Sequence, residues 1–562
     1  MSTECHPIAT LPHTTQLYRD YLAMGDSDAS SPVRAWYGAE PLGRAWMGTS
    51  AAGADAGMLA DALERQSISF GAPAATLANI ARLRRGARAV VTGQQVGLLG
   101  GPLLTLLKAA TAIARARQAT AATGVEHVPV FWTATEDHDL EEVDQVSLLT
   151  KTAVETLRLS IKVPRHDVPV GGVILSGEID GLLDQAAELL GHAPICELLR
   201  EFYGSSQDRE ARTFGGAFAR LMARLFAEQG LIVMDAAGRD FHRLGAPALR
   251  YAIEHAEELE AALLARAAEL EAAGYHAQVL VKPGASLLFL MSEPASLSSR
   301  EALRRLPDGT WKAGNGGATN STKTYTTADL LAILETAPER LSPNAILRPV
   351  FQDSILPTAA YVGGPAEVAY FAQSAVIYQR ALGRITPILP RLSATLIEPE
   401  IGAIMAQHEV SLPDAMRPAE ELAQRLGARA MPIQAKRRLA AAGNALDEAL
   451  TAAQDYLGAL DPGLGKSAEV SASKMRYQMD RLRRLAATYE LNKEGGLRKQ
   501  ADAMVLHLFP DGHPQERVVA GVWFLAGYEA AQPEVAVPGA GLIARLVEEA
   551  ASQCPGHIVI RL

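Results

Sequence analysis

Cysteine is scarce: only Cys5, Cys196 and Cys554 occur among 562 residues, far apart and odd in number. No CxxC pair is present, so the sequence offers no thiolate metal motif and no disulfide framework, which fits a reducing cytoplasm. Long apolar runs are missing too. No uncharged stretch reaches the roughly 18 residues that a membrane-spanning helix needs. Met1 to Pro12 lack the charged-then-apolar pattern of a signal peptide. Basic charge is in deficit: the net charge of -10 argues against a general nucleic-acid binder, because phosphate calls for a basic footprint. What is present suits a large globular chain. Hydrophobic residues make up 48% of the sequence, enough for a real core, and the length implies two to four units.

The most informative stretch is Ala89 to Pro102, a buried strand running into the glycine-rich turn Thr92-Gly93-Gln94-Gln95-Val96-Gly97, followed by a helix over Leu103 to Gln118. A second apolar strand, Val128 to Ala134, runs into Thr135-Glu136-Asp137-His138-Asp139. Two strands joined by a helix form a βαβ unit whose chemistry lies at the strand carboxyl ends. The predicted fold class is therefore α/β, a Rossmann-like parallel sheet. Residues 1–150 hold a helical segment and the first half of this core. Alternating strand-like patterns suggest inserted segments at 151–207 and 274–330, the latter with a hairpin at Pro307-Asp308-Gly309. The core continues over 208–273 and 331–399. At about 400 the composition shifts to Ala, Leu, Arg, Glu and Gln. Leu439, Leu446, Leu450, Ala453, Leu457 and Leu460, then Met475, Met479, Leu482, Ala486 and Tyr489, follow heptad spacing. Residues 400–508 thus read as an antiparallel helical coiled-coil hairpin that turns at Asp461–Gly465, and 509–562 as a return to the core.

Three constellations carry candidate chemistry. The glycine turn at 92–97 brings backbone N–H groups and a helix N-terminus to an anion, while Gln94 and Gln95 suit substrate orientation rather than proton transfer. Glu136, Asp137, His138 and Asp139 place carboxylates and an imidazole at a strand end, where general acid/base work or an ammonium grip is feasible. Metal-motif spacing for a second histidine is lacking, and no metal is assigned. Arg348, Asp353, Tyr361 and the Gly363-Gly364-Pro365 turn form a third group, in which Arg348 would clamp a carboxylate or form a buried pair with Asp353. Asn320 to Tyr325 is a polar loop placed to close over a site. No Ser-His-Asp order or nucleophile elbow stands out.

These motifs together resemble a known family. Thr92-Gly93-Gln94-Gln95-x-Gly97 with Gly101-Pro102, Val130-Phe131-Trp132 with Glu136-Asp137-His138-Asp139, and Arg348-Pro349 with Gln352 match in order. So do Tyr361-Val362-Gly363-Gly364-Pro365-x-Glu367-x-Ala369-Tyr370, Pro390-Arg391 and Pro514-Gln515-Glu516-Arg517. The pattern is similar to the cysteine ligases of bacillithiol biosynthesis and covers essentially the whole chain. The resemblance implies amide-bond formation between L-cysteine and glucosaminyl-malate as the last step to bacillithiol. It also implies a Rossmann-type core akin to class I aminoacyl-tRNA synthetases, two inserted connecting segments, and a coiled coil used for homodimerisation. On it, Gln94, Gln95, Asp137 and His138 are catalytic candidates. Thr92, Gly93, Gly97, Glu136, Asp139, Arg348, Tyr361, Gly363 and Gly364 are substrate-binding candidates. ATP or ADP is the implied nucleotide, with Thr386, Pro387, Ile388 and Arg391 as its candidate site. Gly93-Gln94-Gln95-Val96 stands where the synthetases have a HIGH-type signature, and no KMSKS is found. Two other readings remain: a nucleotidyltransferase or metal-assisted phosphohydrolase on the same core, and a non-enzymatic coiled-coil scaffold.

Overall fold

The computed structural model describes residues 4–25, 32–38, 40–41, 43–49, 52–161, 168–205, 212–291, 299–314, 323–530, 537–552, 554 and 556–562. Asn320, Ser321 and Thr322 of the polar loop lie outside the described residues. The chain divides into two units. One comprises Met1–Leu148, Glu155–Thr395 and Glu516–Ile560; the other comprises Leu149–Val154, Leu396–Gln515 and Arg561–Leu562.

In chain order the strands that matter are β1 (Arg88–Gln94), β2 (His127–Thr133), β3 (Ile232–Asp235), β4 (Ala285–Met291), β5 (Arg300–Arg305), β6 (Trp311–Ala313), β7 (Thr324–Tyr325), β8 (Leu341–Pro343), β9 (Thr358–Gly363) and β10 (Ile388–Pro390). The helices are α1 (Leu103–Thr123), α2 (Arg239–Glu254), α3 (Arg348–Ile355), α4 (Pro365–Leu382), α5 (Ile433–Leu460) and α6 (Pro462–Lys493). The first unit is built on a five-stranded sheet in the order β10-β9-β1-β2-β3. Its neighbouring strands are parallel. Such a sheet must be covered on both faces, and the composition of β2 shows why it is. Every residue of β2 is buried. Phe131 packs against Phe218 at 6.1 Å, and its neighbour Trp132 meets Phe351 edge-on at 6.1 Å on the other face. Val90, Val91, Val128 and Val130 are fully buried, each worth about 1.5–3 kcal/mol in transfer terms.

Register aligns the strand ends. Gln94 pairs with Thr133, Thr133 with Asp235, and Gly363 with Pro390. The chain leaves β1 towards β2 and β3, then returns to place β9 and β10 on the other side. A crevice therefore opens at the carboxyl ends of β1 and β9, the switch point where doubly wound sheets bind ligands.

The turn after β1 differs from the expected one. Leu99, Gly100 and Gly101 have positive φ angles of 51°, 88° and 73°, a conformation glycine adopts without steric cost. The turn delivers α1 with its first amide already used: Leu103 N–H donates to the Val519 carbonyl at 2.9 Å, and Gly521 N–H donates to Gly101 at 3.0 Å. The first amide of α1 is thus taken by backbone rather than offered to an anion.

The segment at 151–207 is more helical than its alternation suggested. Among its described residues only Val154–Arg158 is a strand; Val170–Gly172 is a single tight turn, and helices span Glu178–Leu190 and Ala193–Tyr203. The i, i+3, i+4 spacing of Ile179, Leu182, Leu183 and Ala186 buries one face, and that tertiary gain overrides local strand preference. The segment at 274–330 does form strands, a five-stranded antiparallel sheet ordered β7-β6-β5-β4-β8. Its β5–β6 hairpin turns at Pro307-Asp308-Gly309, with Gly309 at φ 82° and Asp308 accepting from Thr310 N–H at 2.9 Å.

The reading of isolated cysteines is also corrected. Cys5 and Cys554 form a disulfide with a Cα–Cα distance of 6.0 Å. The strand Glu4–His6 pairs antiparallel with His557–Val559, which brings residues separated by 549 positions together. Nearby, His557 sits between the hydroxyls of Ser393 and Thr395, each at 2.8 Å. Burial pushes its pKa down to about 4.

In the second unit, α5 and α6 pair as a helical hairpin. Asp461 makes the turn: its carboxylate accepts from Gly463 and Leu464 N–H groups at 2.7 and 3.0 Å, and Pro462 takes the first helical position. The seam of α6 is not the expected one. Ala472, Met479, Ala487 and Leu491 are buried, whereas Met475, Leu482 and Tyr489 are exposed. The sequence holds two apolar stripes on one helix, and spacing alone does not say which faces inward.

Candidate functional site

Two adjoining cavities lie at the strand carboxyl ends. The first, of about 230 Å³, is lined by the Gly93-Gln94-Gln95 turn, Lys108 of α1, Arg348 of α3, the start of α4, and Arg391 and Arg517. Gly93 is needed here, because a Cβ at that position would stand 2.8 Å from the Trp132 carbonyl. Lys108 is the centre of this wall. It is 4% exposed, and its Nζ lies 2.8 Å from the Gly93 carbonyl, 2.8 Å from Gln94 Oε1 and 2.7 Å from Glu367 Oε2. Burial pulls the ammonium pKa down, and the Glu367 carboxylate opposes it. Glu367 also accepts from the Tyr361 hydroxyl at 2.6 Å and from Gly364 N–H at 2.7 Å. The helix N-terminus that faces the cavity is therefore that of α4, already closed by its own glutamate.

Asp137 sits between the cavities. Gln95 Nε2 donates to Asp137 Oδ2 at 3.2 Å and to Glu142 Oε2 at 2.8 Å. Burial works to raise the Asp137 pKa, but the Gln95 bond and the guanidiniums of Arg300 and Arg348 outweigh it and hold the carboxyl below its usual range. The second cavity, of about 290 Å³, shares Trp132, Ala134, Asp137 and Arg348 with the first and adds Glu136, His138, Phe289 and Arg300. His138 Nδ1 is 3.8 Å from Asp137 Oδ1 and 3.5 Å from an Arg300 nitrogen. Glu136 Oε1 meets Nε2 of the fully buried His242 at 2.9 Å. Among the described residues no cluster of His, Cys, Asp or Glu has the geometry to hold a metal ion.

The structure brings together Gly93, Gln94, Gln95, Asp137, Arg348, Tyr361, Gly364 and Arg391 at the first cavity, and Glu136 and His138 at the second. Other candidates fall elsewhere. The Thr92 hydroxyl is spent inside the sheet on the Val362 carbonyl at 2.9 Å. Gly97 packs on Gly101, where a Cβ would come within 2.8 Å of its Cα. Gly363 is pressed against Glu367 and Ile388, and Asp139 is exposed at the start of a short helix. The candidate nucleotide set is not assembled. Thr386 and Pro387 precede β10, so they lie at the amino-terminal end of the sheet, and the Thr386 hydroxyl is engaged by Arg384 at 2.7 Å. The Ile388 carbonyl accepts from the buried Tyr21 hydroxyl. Only Arg391 reaches the cavity, braced by Glu516 at 2.5 Å.

Lys108, His242 and Arg300 were not singled out from sequence, and Arg517 only as part of the Pro514-Gln515-Glu516-Arg517 motif. Lys108 had a signal: it is the one charged residue between Leu103 and Ala114, and a lone cation in an apolar helix must find a buried partner. Arg300 had none, since it belongs to the inserted sheet and is remote from every core motif. The Pro514-Gln515-Glu516-Arg517 motif gains a physical meaning. Gln515 pairs both N–H and C=O of Leu396 at 2.9 Å, Glu516 accepts from Arg391 and from Ala394 N–H, and Arg517 lines the cavity.

Comparison with known proteins gives the same picture over the full length. Residues 1–392 match the family described as bacillithiol biosynthesis BshC, N-terminal Rossmann-like domain, and residues 394–561 match its C-terminal coiled-coil domain. The chain is similar to a protein of Koribacter versatilis named "Putative cysteine ligase BshC", with 41% identity covering 100% of both chains. Proteins of the same name from Solibacter usitatus and Salinibacter ruber are 34% and 32% identical, covering 84% of both chains for the first and 93% of this chain and 94% of the relative for the second. The parallel-sheet core, the helical hairpin and these end-to-end matches place the chain in the BshC family of bacillithiol biosynthesis.

Proposed function

We propose that this protein is an amide-forming ligase that joins the carboxyl of L-cysteine to the amine of glucosaminyl-malate, the last step of bacillithiol synthesis. The observation that carries the reading is the convergence of Gln94, Gln95, Asp137, Arg348 and the start of α4 on one cavity at the sheet's switch point. In this reading Gln94 and Gln95 orient the substrate, and Arg348 holds a carboxylate or phosphate on the wall it shares with Gly364. Asp137, with His138 beside it, receives the proton of the attacking amine. A free carboxylate is a poor electrophile, so the cysteine carboxyl is first activated at the expense of ATP. The amine nitrogen then attacks the carbonyl carbon, the C–N bond forms, and the bond to the phosphate or AMP leaving group breaks. The cationic wall of Lys108, Arg348, Arg391 and Arg517 favours both the anionic substrate and that leaving group.

The test is mass spectrometry of products after incubating the purified protein with ATP, cysteine and glucosaminyl-malate. A new amide with stoichiometric AMP or ADP is expected. Nucleotide turnover that needs no cysteine would instead support a nucleotidyltransferase or phosphohydrolase, and no turnover of any kind would support a scaffold. We further propose a cytoplasmic homodimer joined through the α5–α6 hairpin, on which Tyr456, Met475, Leu482, Leu485 and Tyr489 are exposed. No helix among the described residues is long and apolar enough to cross a membrane. Light scattering is expected to give twice the 59.8 kDa chain mass; a monomer at micromolar concentration would contradict the dimer.

A further inference from the structure

The two cavities differ in charge, and the difference assigns them different ligands. The first has four cations, Lys108, Arg348, Arg391 and Arg517, against the carboxylates Asp137 and Glu367. It suits a net anion. The second is balanced: Glu136 and Asp137 face Arg300 and Arg348. A net anion or a net cation would add uncompensated charge to this partly buried and already balanced set, which is costly. A zwitterion satisfies both.

The charged groups of the second cavity are fixed before any ligand arrives. Arg300 is 7% exposed. Its Nε donates to Ser342 Oγ at 3.0 Å and one terminal nitrogen to the Pro343 carbonyl at 2.8 Å, and the guanidinium lies 3.9 Å over the Phe289 ring. The remaining nitrogen is turned towards His138 and Asp137, the latter at 4.0 Å. The bond from His242 fixes the Glu136 carboxylate. Ala236, Ala237 and Val279 add a small apolar patch to the lining. A cavity of about 290 Å³ lies at the small end of ligand sites.

From this arrangement we propose that the second cavity is an amino-acid subsite, specific for a zwitterionic α-amino acid with a short thiol or apolar side chain. Its identification with cysteine rests on the ligase reading above. Glu136 takes the α-ammonium. Arg300 and Arg348 take the α-carboxylate and hold it at the boundary beside Asp137, facing the first cavity. The side chain lies against Ala236, Ala237 and Val279, an apolar surface that suits a thiol better than a hydroxyl. His242 is a positioning residue for Glu136.

The test measures KM for cysteine and for glucosaminyl-malate separately in Glu136→Gln and Arg300→Met, with calorimetric titration of L-cysteine, L-serine and malate into each full-length protein. Each variant is expected to raise the cysteine KM at least tenfold and leave that of glucosaminyl-malate within twofold. L-serine is expected to bind wild type more weakly than L-cysteine, and malate affinity to be unchanged by either substitution. An unchanged cysteine KM in both variants, in an enzyme that still forms the amide, overturns the subsite and leaves the ligase reading intact. Competition between malate and cysteine for one place does the same. A wild-type protein that binds glucosaminyl-malate but neither binds nor consumes cysteine overturns the ligase reading, and the subsite's assignment to cysteine with it. Should Glu136→Gln fail to fold, Arg300→Met decides alone, because Arg300 belongs to the separate inserted sheet.

Discussion

Asp137→Asn is expected to lower the rate of cysteine addition by about 10²–10⁴-fold, the usual worth of a positioned general base, with the thermal unfolding midpoint close to wild type. Asparagine keeps the size of the side chain and one carbonyl oxygen, which still accepts from the His138 N–H that Asp137 Oδ1 binds at 2.9 Å, while the Gln95 amide, which donates to Oδ2, keeps its bond to Glu142. What it loses is the capacity to take a proton. The sign of the pH effect follows from the same contacts. The Asp137 pKa is depressed by Gln95, Arg300 and Arg348 despite burial. The carboxylate therefore stays ionised throughout the neutral range, and the activity it supports is lost only as pH falls through that lowered value. Gln95→Ala removes one of the bonds that depress it, so the acid limb of the pH–rate profile is expected to move to higher pH. Steady-state kinetics carried from pH 9 down through the ordinary carboxylate range and below it, with folding monitored at each pH, checks both outcomes. An Asp137→Asn protein with full activity would remove Asp137 from the mechanism.

Lys108→Met is expected to destabilise the fold by about 3–5 kcal/mol, because it strands a buried carboxylate without its cation, and to abolish activity as well. Glu367 keeps its bonds from Tyr361 and Gly364 but loses the 2.7 Å ion pair. The Gly93 carbonyl and Gln94 lose their shared donor, so the turn that lines the cavity loosens. The two effects separate in a double variant. Lys108→Met with Glu367→Met removes both charges, and most of the stability is expected to return because the partners are coupled rather than additive. Activity is not expected to return, since the cationic wall is still missing. Denaturant unfolding alongside turnover reads both. A Lys108→Met protein as stable and as active as wild type would contradict the central place given to this lysine.

These expectations show what the sequence carried and what it did not. Apolar strands ending in Gln94 and in Glu136-Asp137-His138 marked both the sheet and the edge where the two cavities lie, because a parallel strand is buried throughout and polar residues appear only where it stops. The hairpin at Asp308-Gly309 and the Asp461 turn were equally legible, since backbone conformation and capping demand particular residues. Partnership across the fold was not. Thr92 and Gly97 look like ligand contacts in the chain, yet their roles are a strand-to-strand hydrogen bond and a close backbone approach. The first amide of α1 looks open in the chain, yet the Val519 carbonyl takes it. The disulfide between Cys5 and Cys554 depends on pairing of the chain's two end strands. Heptad spacing in α6 marked an apolar helix without saying which of two stripes is buried.

The central claim is that the site around Asp137 adds cysteine to glucosaminyl-malate. The measurement that tests it most directly is the content of low-molecular-weight thiols and their precursor in a strain deleted for this protein, complemented with either wild type or Asp137→Asn. The deletion and the Asp137→Asn strain are expected to lack the cysteinyl thiol and to accumulate glucosaminyl-malate, while wild type restores the thiol. A normal thiol level in the strain carrying only Asp137→Asn, expressed at the wild-type level, would contradict the claim.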